Sequence, residues 1–181
     1  IIKIKLKKTK YWDKKNILIL TAHPDDEIIF FYPTIKNILK NNNLHLICLS
    51  NGNYEGQGKI REKELQNLCN ILDIQNLYIL DFEDNITKFW DYNEIEKKIK
   101  KYILKNKIDI IITFDNKGIS YHPNHISCYE GVKNIKNVDI FYLETVCFFR
   151  KFLSFFDLIN IKKNSILLLN NNIFEILYYF S

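Results

Sequence analysis

The sequence predicts an α/β protein, a single-domain, Rossmann-like three-layer sandwich with a mostly parallel sheet. Short apolar runs alternate with amphipathic helical patterns along most of the chain, which is the order of elements in a parallel sheet covered by helices on both faces. The apolar runs are continuous, as expected for strands that are buried on both faces. A length of 181 residues suits one domain with a full core, and no internal repeat divides the chain.

Each predicted element follows from its own pattern. Five apolar runs predict strands, at Asn16–Leu20, Leu44–Ser50, Leu77–Phe82, Ile108–Phe114 and Asp139–Leu143. Four amphipathic patterns predict helices between them, at Ile28–Lys40, Lys59–Leu72, Asp91–Asn106 and His122–Lys136. A Lys-rich segment over residues 1–15 precedes the first strand. Beyond Glu144 the patterns are weaker: Ile166–Leu169 predicts another strand, Ile173–Phe180 suits a strand or a helix, and Phe152–Ile159 is apolar and aromatic.

Composition narrows the class of protein. The formal net charge of +5 suits an acidic substrate or an anionic membrane surface. No basic stripe is interleaved with stacking aromatics, which argues against a specific nucleic-acid role. No run reaches the roughly 20 consecutive apolar residues that a membrane helix needs. The four cysteines form no CxxC pair, so we expect buried, reduced thiols in a protein that faces the cytosol.

The first polar cluster follows the first predicted strand and runs from His23 through Pro24, Asp25 and Asp26 to Glu27. Pro24 is a favourable first helical residue, and a helix that begins there turns His23 and Asp26 to one side. Helix capping and the helix dipole account for one or two acids at such a position. They do not account for one imidazole and three carboxylates together at the end of a strand. In open α/β sheets, that is where ligands bind.

The second cluster, His122-Pro123-Asn124-His125, follows the fourth predicted strand. Histidines three residues apart at the start of a helix can face one site. The chain has four histidines, and three of them lie in these two proline-containing clusters. The fourth, His45, lies on a predicted strand, where we expect it to face solvent or to be hydrogen-bonded within the sheet, with no functional role.

The two clusters together contain the groups that metal-assisted amide hydrolysis needs. Two imidazoles and a carboxylate are typical zinc ligands that leave one position open for water, whose pKa the metal lowers toward about 7. A free carboxylate, Asp25, can then accept a proton, and a remaining imidazole, His122, can stabilise an oxyanion or protonate the leaving amine. Spacing alone also allows His122 and His125 to bind the metal together, which would close the site.

Four segments resemble the LmbE-like deacetylases, and most closely their eukaryotic branch, the N-acetylglucosaminyl-phosphatidylinositol de-N-acetylases of glycolipid-anchor biosynthesis. Ala22–Glu27 and Gly118–His125 resemble the two signatures of the family. The segments Ser50–Leu65, with its three glycines and Arg61, and Leu143–Asp157 support the eukaryotic branch. The resemblance extends from about Asn16 to Asn170.

This resemblance implies a role for each residue of the two clusters. His23, Asp26 and His125 would bind the metal, which would be zinc or another divalent ion. Asp25 would be the general base. His122 would stand off the metal and stabilise the transition state.

The resemblance also implies roles for residues around the clusters. Arg61 would contact the sugar or phosphate of the substrate; the alternative is an ion pair that fixes the glycine loop to the next helix. Asp115 would orient His122 or, alternatively, cap a loop. Glu27 would support the motif through hydrogen bonds. The loop Asn51–Gly58 would form part of the pocket rim, although turn formation alone also explains its glycines.

The implied reaction is the removal of acetate from N-acetylglucosaminyl-phosphatidylinositol, an early step in the biosynthesis of glycosylphosphatidylinositol anchors. The implied partners are a glycolipid substrate and the cytosolic surface of the endoplasmic reticulum membrane. The family's N-terminal membrane anchor and its final helix with a His-Ser-Gln type segment have no counterpart in these 181 residues. Two alternatives remain: a soluble deacetylase of a small N-acetylglucosaminyl conjugate, and a catalytically silent family member that binds glycolipid.

Overall fold

A computed structural model describes residues 12–145, together with the backbone of two further strands at residues 165–169 and 176–180. The strands are β1 (Asn16–Thr21), β2 (Asn43–Cys48), β3 (Asn76–Ile79), β4 (Ile110–Phe114), β5 (Asp139–Leu143), β6 (Ser165–Leu169) and β7 (Ile176–Phe180). The helices are α1 (Asp26–Ile29), α2 (Tyr32–Ile38), α3 (Gly58–Ile71), α4 (Tyr92–Asn106), α5 (Gly118–Tyr121) and α6 (Pro123–Val132), with a 3₁₀ turn at Asn53–Glu55.

The strands form one sheet in the order β3-β2-β1-β4-β5-β7-β6. Strands β1 to β5 are parallel, and β7 runs antiparallel to both β5 and β6. The chain moves outward from β1 in one direction and from β4 in the other. Because parallel crossovers are right-handed, α2 and α3 cover one face of the sheet, and α4 and α6 cover the other. The prediction of an α/β fold with a mostly parallel sheet is confirmed.

Burial explains why the central strands read as continuous apolar runs. Ile17 to Leu20 in β1 and Ile111 to Ile112 in β4 are fully buried, because helices cover both faces of the sheet. On one face α4 and α6 approach closely: a Cβ added to Gly131 of α6 would lie 2.7 Å from the Cβ of Ile95 of α4. Only glycine permits this approach.

Several predicted boundaries need correction. The predicted helix Ile28–Lys40 is two helices, because Pro33 occupies the first turn of α2 and favours a new start there over continuation of α1. The last predicted helix begins at Pro123 and ends at Val132, four residues early. Ile176–Phe180 is a strand, which decides between the two predictions for that segment. The apolar segment Phe152–Ile159 lies outside the described residues.

The cysteines that the structure describes are as expected. Cys48, Cys69 and Cys128 are buried free thiols, and burial raises the pKa of Cys69 to about 12. Cys147 lies outside the described residues. Within the described part of the chain, no helix has the length and apolar character that crossing a bilayer requires.

His45 of β2 is buried, and both of its ring nitrogens are paired. Nε2 lies 3.0 Å from Nδ2 of Asn43, and Nδ1 lies 3.0 Å from the hydroxyl of Tyr102 on α4. Burial disfavours the charged ring and lowers the pKa of His45. Of the two expectations for His45, the hydrogen-bonded residue within the sheet is the one observed.

This histidine makes the fold sensitive to acid. The pKa of a histidine in the unfolded chain is about 6.5. As the pH falls below that value, the unfolded state binds a proton that folded His45 resists, so the free energy of unfolding decreases. We expect His45→Gln to reduce the slope of unfolding free energy against pH below about 6.5, measured by urea unfolding. Tyr102→Phe is the control, because it leaves the imidazole buried and should keep the slope. Equal slopes for His45→Gln and wild type would contradict the prediction.

Candidate active site

The two polar clusters meet at the carboxyl edge of the sheet, between β1 and β4. His23 follows β1 by two residues, while His122 and His125 follow β4 through α5. These strands are neighbours, and the chain leaves them in opposite directions, which opens a crevice at their carboxyl ends. The three imidazoles each offer one nitrogen, and these nitrogens all lie within 4.8 Å of one another.

Asp26 links the two clusters. Its Oδ2 accepts hydrogen bonds from the backbone amides of Ala22, at 2.9 Å, and His23, at 2.8 Å. Its Oδ1 lies 3.2 Å from Nε2 of His125. Burial alone would raise the pKa of Asp26, but the hydrogen bond and charge of His125, with the charge of His23, outweigh burial and lower it. The carboxylate is therefore ionised, with one oxygen fixed by the backbone and the other directed at His125.

His125 is fixed in orientation by its surroundings. Its ring stacks on Phe114 of β4, with centroids 4.1 Å apart. Its Nδ1 lies 3.0 Å from the carbonyl of Gly118, so Nδ1–H donates there and Nε2 is the nitrogen directed at Asp26. Gly118 has φ +57°, and a Cβ at this position would lie 2.8 Å from the Cβ of His125. Gly118, four residues before the second cluster, is thus required for the close approach of His125.

His23 is held from its Nε2 side. That nitrogen lies 3.0 Å from Oδ1 of Asn124 and 3.2 Å from Oδ1 of Asp84. A proton on Nε2 satisfies both acceptors and makes Nδ1 the nitrogen that can bind a metal. Nδ1 lies 3.9 Å from Oδ2 of Asp26, on the side of the shared site.

The donors of this site fit a divalent metal. Two ligands at about 2 Å from a tetrahedral zinc ion lie about 3.3 Å from each other. The 3.2 Å separation between Asp26 Oδ1 and His125 Nε2 matches that spacing. Both His23 and His125 have their second nitrogen hydrogen-bonded to oxygen, as metal-binding histidines ordinarily do. The three imidazoles form a second possible ligand set.

His122 differs from the other two imidazoles. Its Nδ1 accepts a hydrogen bond from the backbone amide of Asn124, at 3.2 Å, and so caps α6. Burial, together with the charges of His23 and His125, lowers the pKa of His122 to about 4. The ring is therefore neutral near pH 7, and since Nδ1 is an acceptor, its proton is on Nε2. Metal binding through Nε2 would require the opposite tautomer and would break the cap.

Asp25 has an unusual backbone. Its φ of +121° is in the region that side chains other than glycine rarely adopt. Its amide donates to Oε2 of Glu27 at 3.1 Å, and its own Oδ2 accepts from Arg61 at 3.0 Å. Burial and the neighbouring Asp26 raise the pKa of Asp25, while Arg61 opposes the rise. The carboxylate is 53% exposed and lines a cleft, unlike the buried carboxylate of Asp26.

Glu27 lies beneath the motif and is buried. Burial raises the pKa of Glu27 to about 7. Its hydrogen bond to the amide of Asp25 is the kind of support that the sequence predicted for it.

Arg61 reaches from α3 across the glycine loop. Its Nη1 donates to the carbonyl of Gly52 at 3.1 Å, and its Nη2 donates to the carbonyl of Pro24 as well as to Asp25. Gly52 has φ +71°, and a Cβ there would overlap the guanidinium. Arg61 therefore fixes the glycine loop and the first cluster to each other, and it also lines the cleft, so both predicted roles remain available to it.

Asp115 bonds to its own loop. Its Oδ1 accepts from the amides of Lys117 and Gly118, each at 3.0 Å, and from the hydroxyl of Thr145. Its Oδ2 accepts from the amide of Thr145 at 2.7 Å. These partners correspond to the loop cap of the two predicted alternatives. Through Gly118 the cap supports His125 rather than His122.

The structure adds two residues for which no role was predicted from the sequence. Asn124 bonds His23 through Oδ1, and it reaches the carbonyl of Lys88 through Nδ2 at 3.1 Å. Asp84 bonds His23 through Oδ1 and accepts from the amide of Tyr54 through Oδ2 at 3.3 Å. Asp84 could have been predicted from its position in the sequence. It follows β3, so it lies at the same edge of the sheet as both clusters.

A cleft of about 400 Å³ opens over these groups. Its walls combine site residues with the glycine loop and with the segment after β3: His23, Asp25, Gly52, Tyr54, Glu55, Gln57, Arg61, Asp84, Ile86 and His122. The glycine loop thus forms part of the pocket wall, as predicted. A carboxylate, a neutral imidazole and a possible metal site all face one space that suits a sugar-sized ligand.

The sequence profile of the PIG-L family, described as GlcNAc-PI de-N-acetylase, matches residues 18–136. The chain belongs to this family. It is 43% identical over 156 residues to a probable N-acetylglucosaminyl-phosphatidylinositol de-N-acetylase of Schizosaccharomyces pombe, covering 80% of this chain and 63% of the relative. It is 36% identical over 154 residues to the N-acetylglucosaminyl-phosphatidylinositol de-N-acetylase of Bos taurus, covering 78% of this chain and 61% of the relative.

The chain therefore spans about three-fifths of the length of these two family members. A solved structure also shares the family's fold: the N,N'-diacetylchitobiose deacetylase of Pyrococcus horikoshii superposes with a TM-score of 0.59 at 21% identity. The superposition covers 72% of this chain and 52% of that one. The two polar clusters, from His23 to Glu27 and from His122 to His125, both lie within the part that matches the family profile.

Proposed function

We propose that this chain is a metal-dependent de-N-acetylase that hydrolyses the N-acetyl group of N-acetylglucosaminyl-phosphatidylinositol, giving acetate and the glucosaminyl lipid. This is an early step in the biosynthesis of glycosylphosphatidylinositol anchors. The observation that carries the proposal is that Asp25 and His122 line one cleft beside the buried Asp26–His125 pair, in a chain of this family. The reaction would take place at the cytosolic face of the endoplasmic reticulum membrane.

The proposed metal ligands are His23, Asp26 and His125. The 3.2 Å spacing of Asp26 and His125 supports this set, and the hydrogen bond that Nδ1 of His122 accepts from the amide of Asn124 argues against the three imidazoles. Zinc suits these donors best, and another divalent ion would fit the same three. When bound, the metal supplies a Lewis acid that polarises the amide carbonyl and makes water more acidic.

Side chains of the protein supply the remaining catalytic and substrate-binding roles. Asp25, which is open to the cleft, accepts a proton from the attacking water. Its pairing with Arg61 fixes the direction in which the carboxylate points. His122 is neutral and carries its proton on Nε2, so it donates a hydrogen bond to the oxygen on which negative charge develops. Arg61 also faces the cleft, where it would meet the sugar or the phosphate of the substrate.

We expect His122→Ala to keep its metal affinity within a few-fold while its turnover falls roughly 10²–10³-fold, the usual cost of losing one oxyanion donor. Metal content and rates of deacetylation measure the two effects. His122→Asn is the matched control, since its side chain can still cap α6 and donate, and it should recover part of the rate. If His122→Ala loses its metal as completely as His125→Ala, His122 is a ligand and the open-site proposal is wrong.

The reaction itself is tested by metal analysis of the purified chain beside an assay with two substrates. One substrate is N-acetylglucosaminyl-phosphatidylinositol in detergent, and the other is the same headgroup without the lipid. Release of acetate from the glycolipid by the metal-loaded chain supports the proposal. Preference for the lipid-free conjugate indicates a soluble deacetylase of small conjugates instead. Glycolipid binding without release of acetate indicates a catalytically silent binding protein.

A further inference from the structure

Exposed apolar side chains are concentrated at the edge of the sheet that carries the cleft. Ten large apolar or aromatic side chains are exposed among the described residues. Seven lie in the segments that follow β1, β2, β3 and β4, and we call them the apolar rim: Ile28, Ile29, Tyr54, Ile60, Ile86, Phe89 and Tyr121. The other three are Ile71 and Leu104, near the opposite ends of α3 and α4, and Tyr78 within β3.

The apolar rim adjoins the cleft on several sides. Tyr54 and Ile86 form part of the cleft wall, and Tyr121 directly precedes His122. Phe89 precedes Trp90, whose ring centroid lies 6.2 Å from that of His23. The segments that follow four different strands thus place solvent-exposed apolar groups at the edge of the sheet that carries the cleft. Clustered exposure of this kind marks an interaction surface, whereas single exposed apolar residues need no explanation.

We propose that the apolar rim rests in the interfacial region of a phospholipid bilayer that contains phosphatidylinositol, with the cleft open toward the headgroups. This inference rests on the proposed function, in which the scissile amide belongs to the headgroup of a membrane lipid. The lipid then reaches the site without leaving the bilayer.

The composition of the rim favours a bilayer interface over a protein partner. Isoleucine and phenylalanine supply apolar contact, and the two tyrosines have rings that favour the headgroup level. The rim is divided among four segments of loop and helix end, which suits shallow insertion into a fluid surface. The net charge of +5 adds long-range attraction to an anionic bilayer.

Two double variants test the inference. The rim variant combines Ile29→Ser and Phe89→Ser, at side chains 61% and 53% exposed that do not line the cleft. The control variant combines Ile71→Ser and Leu104→Ser, 80% and 82% exposed at the far ends of their helices. On phosphatidylcholine vesicles that contain phosphatidylinositol, we expect the rim variant to bind roughly tenfold more weakly than wild type. The control variant should bind as wild type does.

Turnover separates this inference from the proposed function. The rim variant should be slow on N-acetylglucosaminyl-phosphatidylinositol in vesicles and as fast as wild type on the lipid-free headgroup. If the wild-type chain does not bind vesicles, or if both variants bind equally well, the docking inference is overturned while the deacetylase proposal stands. If the wild-type chain deacetylates neither substrate, the deacetylase proposal fails instead.

A measurement on the wild-type chain does not depend on how the variants fold. Hydrogen exchange with and without vesicles should show protection at residues 28–29, 54–60 and 86–89. Residues 71 and 104 should exchange equally in both conditions. Equal exchange at the rim with vesicles bound would assign vesicle binding to another surface and overturn the inference.

Discussion

His125→Ala is expected to remove both the proposed metal and the proposed deacetylase activity. The substitution deletes a nitrogen that lies 3.2 Å from Asp26 Oδ1, and it leaves that buried carboxylate without its main partner. Removing one of the three proposed protein ligands should reduce metal occupancy to background and turnover to the rate without metal. Metal content of the purified variant and its rate of acetate release measure the two losses.

Two comparisons make the result specific. His45→Gln alters a buried histidine on β2 whose nitrogens bond Asn43 and Tyr102, so it should keep both the metal and the activity. Thermal unfolding should confirm that His125→Ala is folded, since the lost stacking on Phe114 weakens packing at the site. Full metal occupancy in folded His125→Ala would refute the ligand assignment.

Asp25→Asn is expected to retain the metal and to lose roughly 10²–10⁴-fold in turnover, the usual contribution of a general base. The asparagine side chain can keep the contact with Arg61 but cannot accept a proton. Because Asp25 is exposed to the cleft and Asp26 is buried against His125, the loss of charge should leave the metal site intact. Steady-state rates and metal content test both parts.

Glu27→Gln is the informative companion, because Glu27 is the remaining carboxylate of the motif that is not a proposed metal ligand. It bonds the amide of Asp25 and does not line the cleft, so its amide replacement should cost less than Asp25→Asn. A near-normal rate for Asp25→Asn at neutral pH would transfer the role of base away from Asp25, with Glu27 as the next candidate.

The position of the site was predictable from the sequence, because it depends on a rule of topology. His23 and His125 are remote in the chain, but each follows a buried strand, and parallel strands end at one edge. The strands could be recognised as continuous apolar runs, because a strand that is buried on both faces has no alternating polar side chains. Even the break between α1 and α2 had its signal in Pro33.

Side-chain orientation was not predictable in the same way. The contact of Asp84 with His23 depends on the path of the irregular segment after β3, which no periodicity encodes. The choice of tautomer at His122 follows from one backbone amide at the start of α6. Spacing placed His122 and His125 together but could not distinguish them, and the hydrogen bonds now do so.

The left-handed backbone of Asp25 has a consequence for the evolution and engineering of this chain. A residue with a side chain at such a φ typically costs about 1–3 kcal/mol of folding free energy, which a glycine would recover. A search for more heat-resistant variants would therefore favour glycine at this position, and each such gain would delete the proposed base. The residue that favours stability at this position is therefore not the one that favours turnover. Selection for thermal tolerance alone should yield well-folded chains that still bind metal and no longer release acetate.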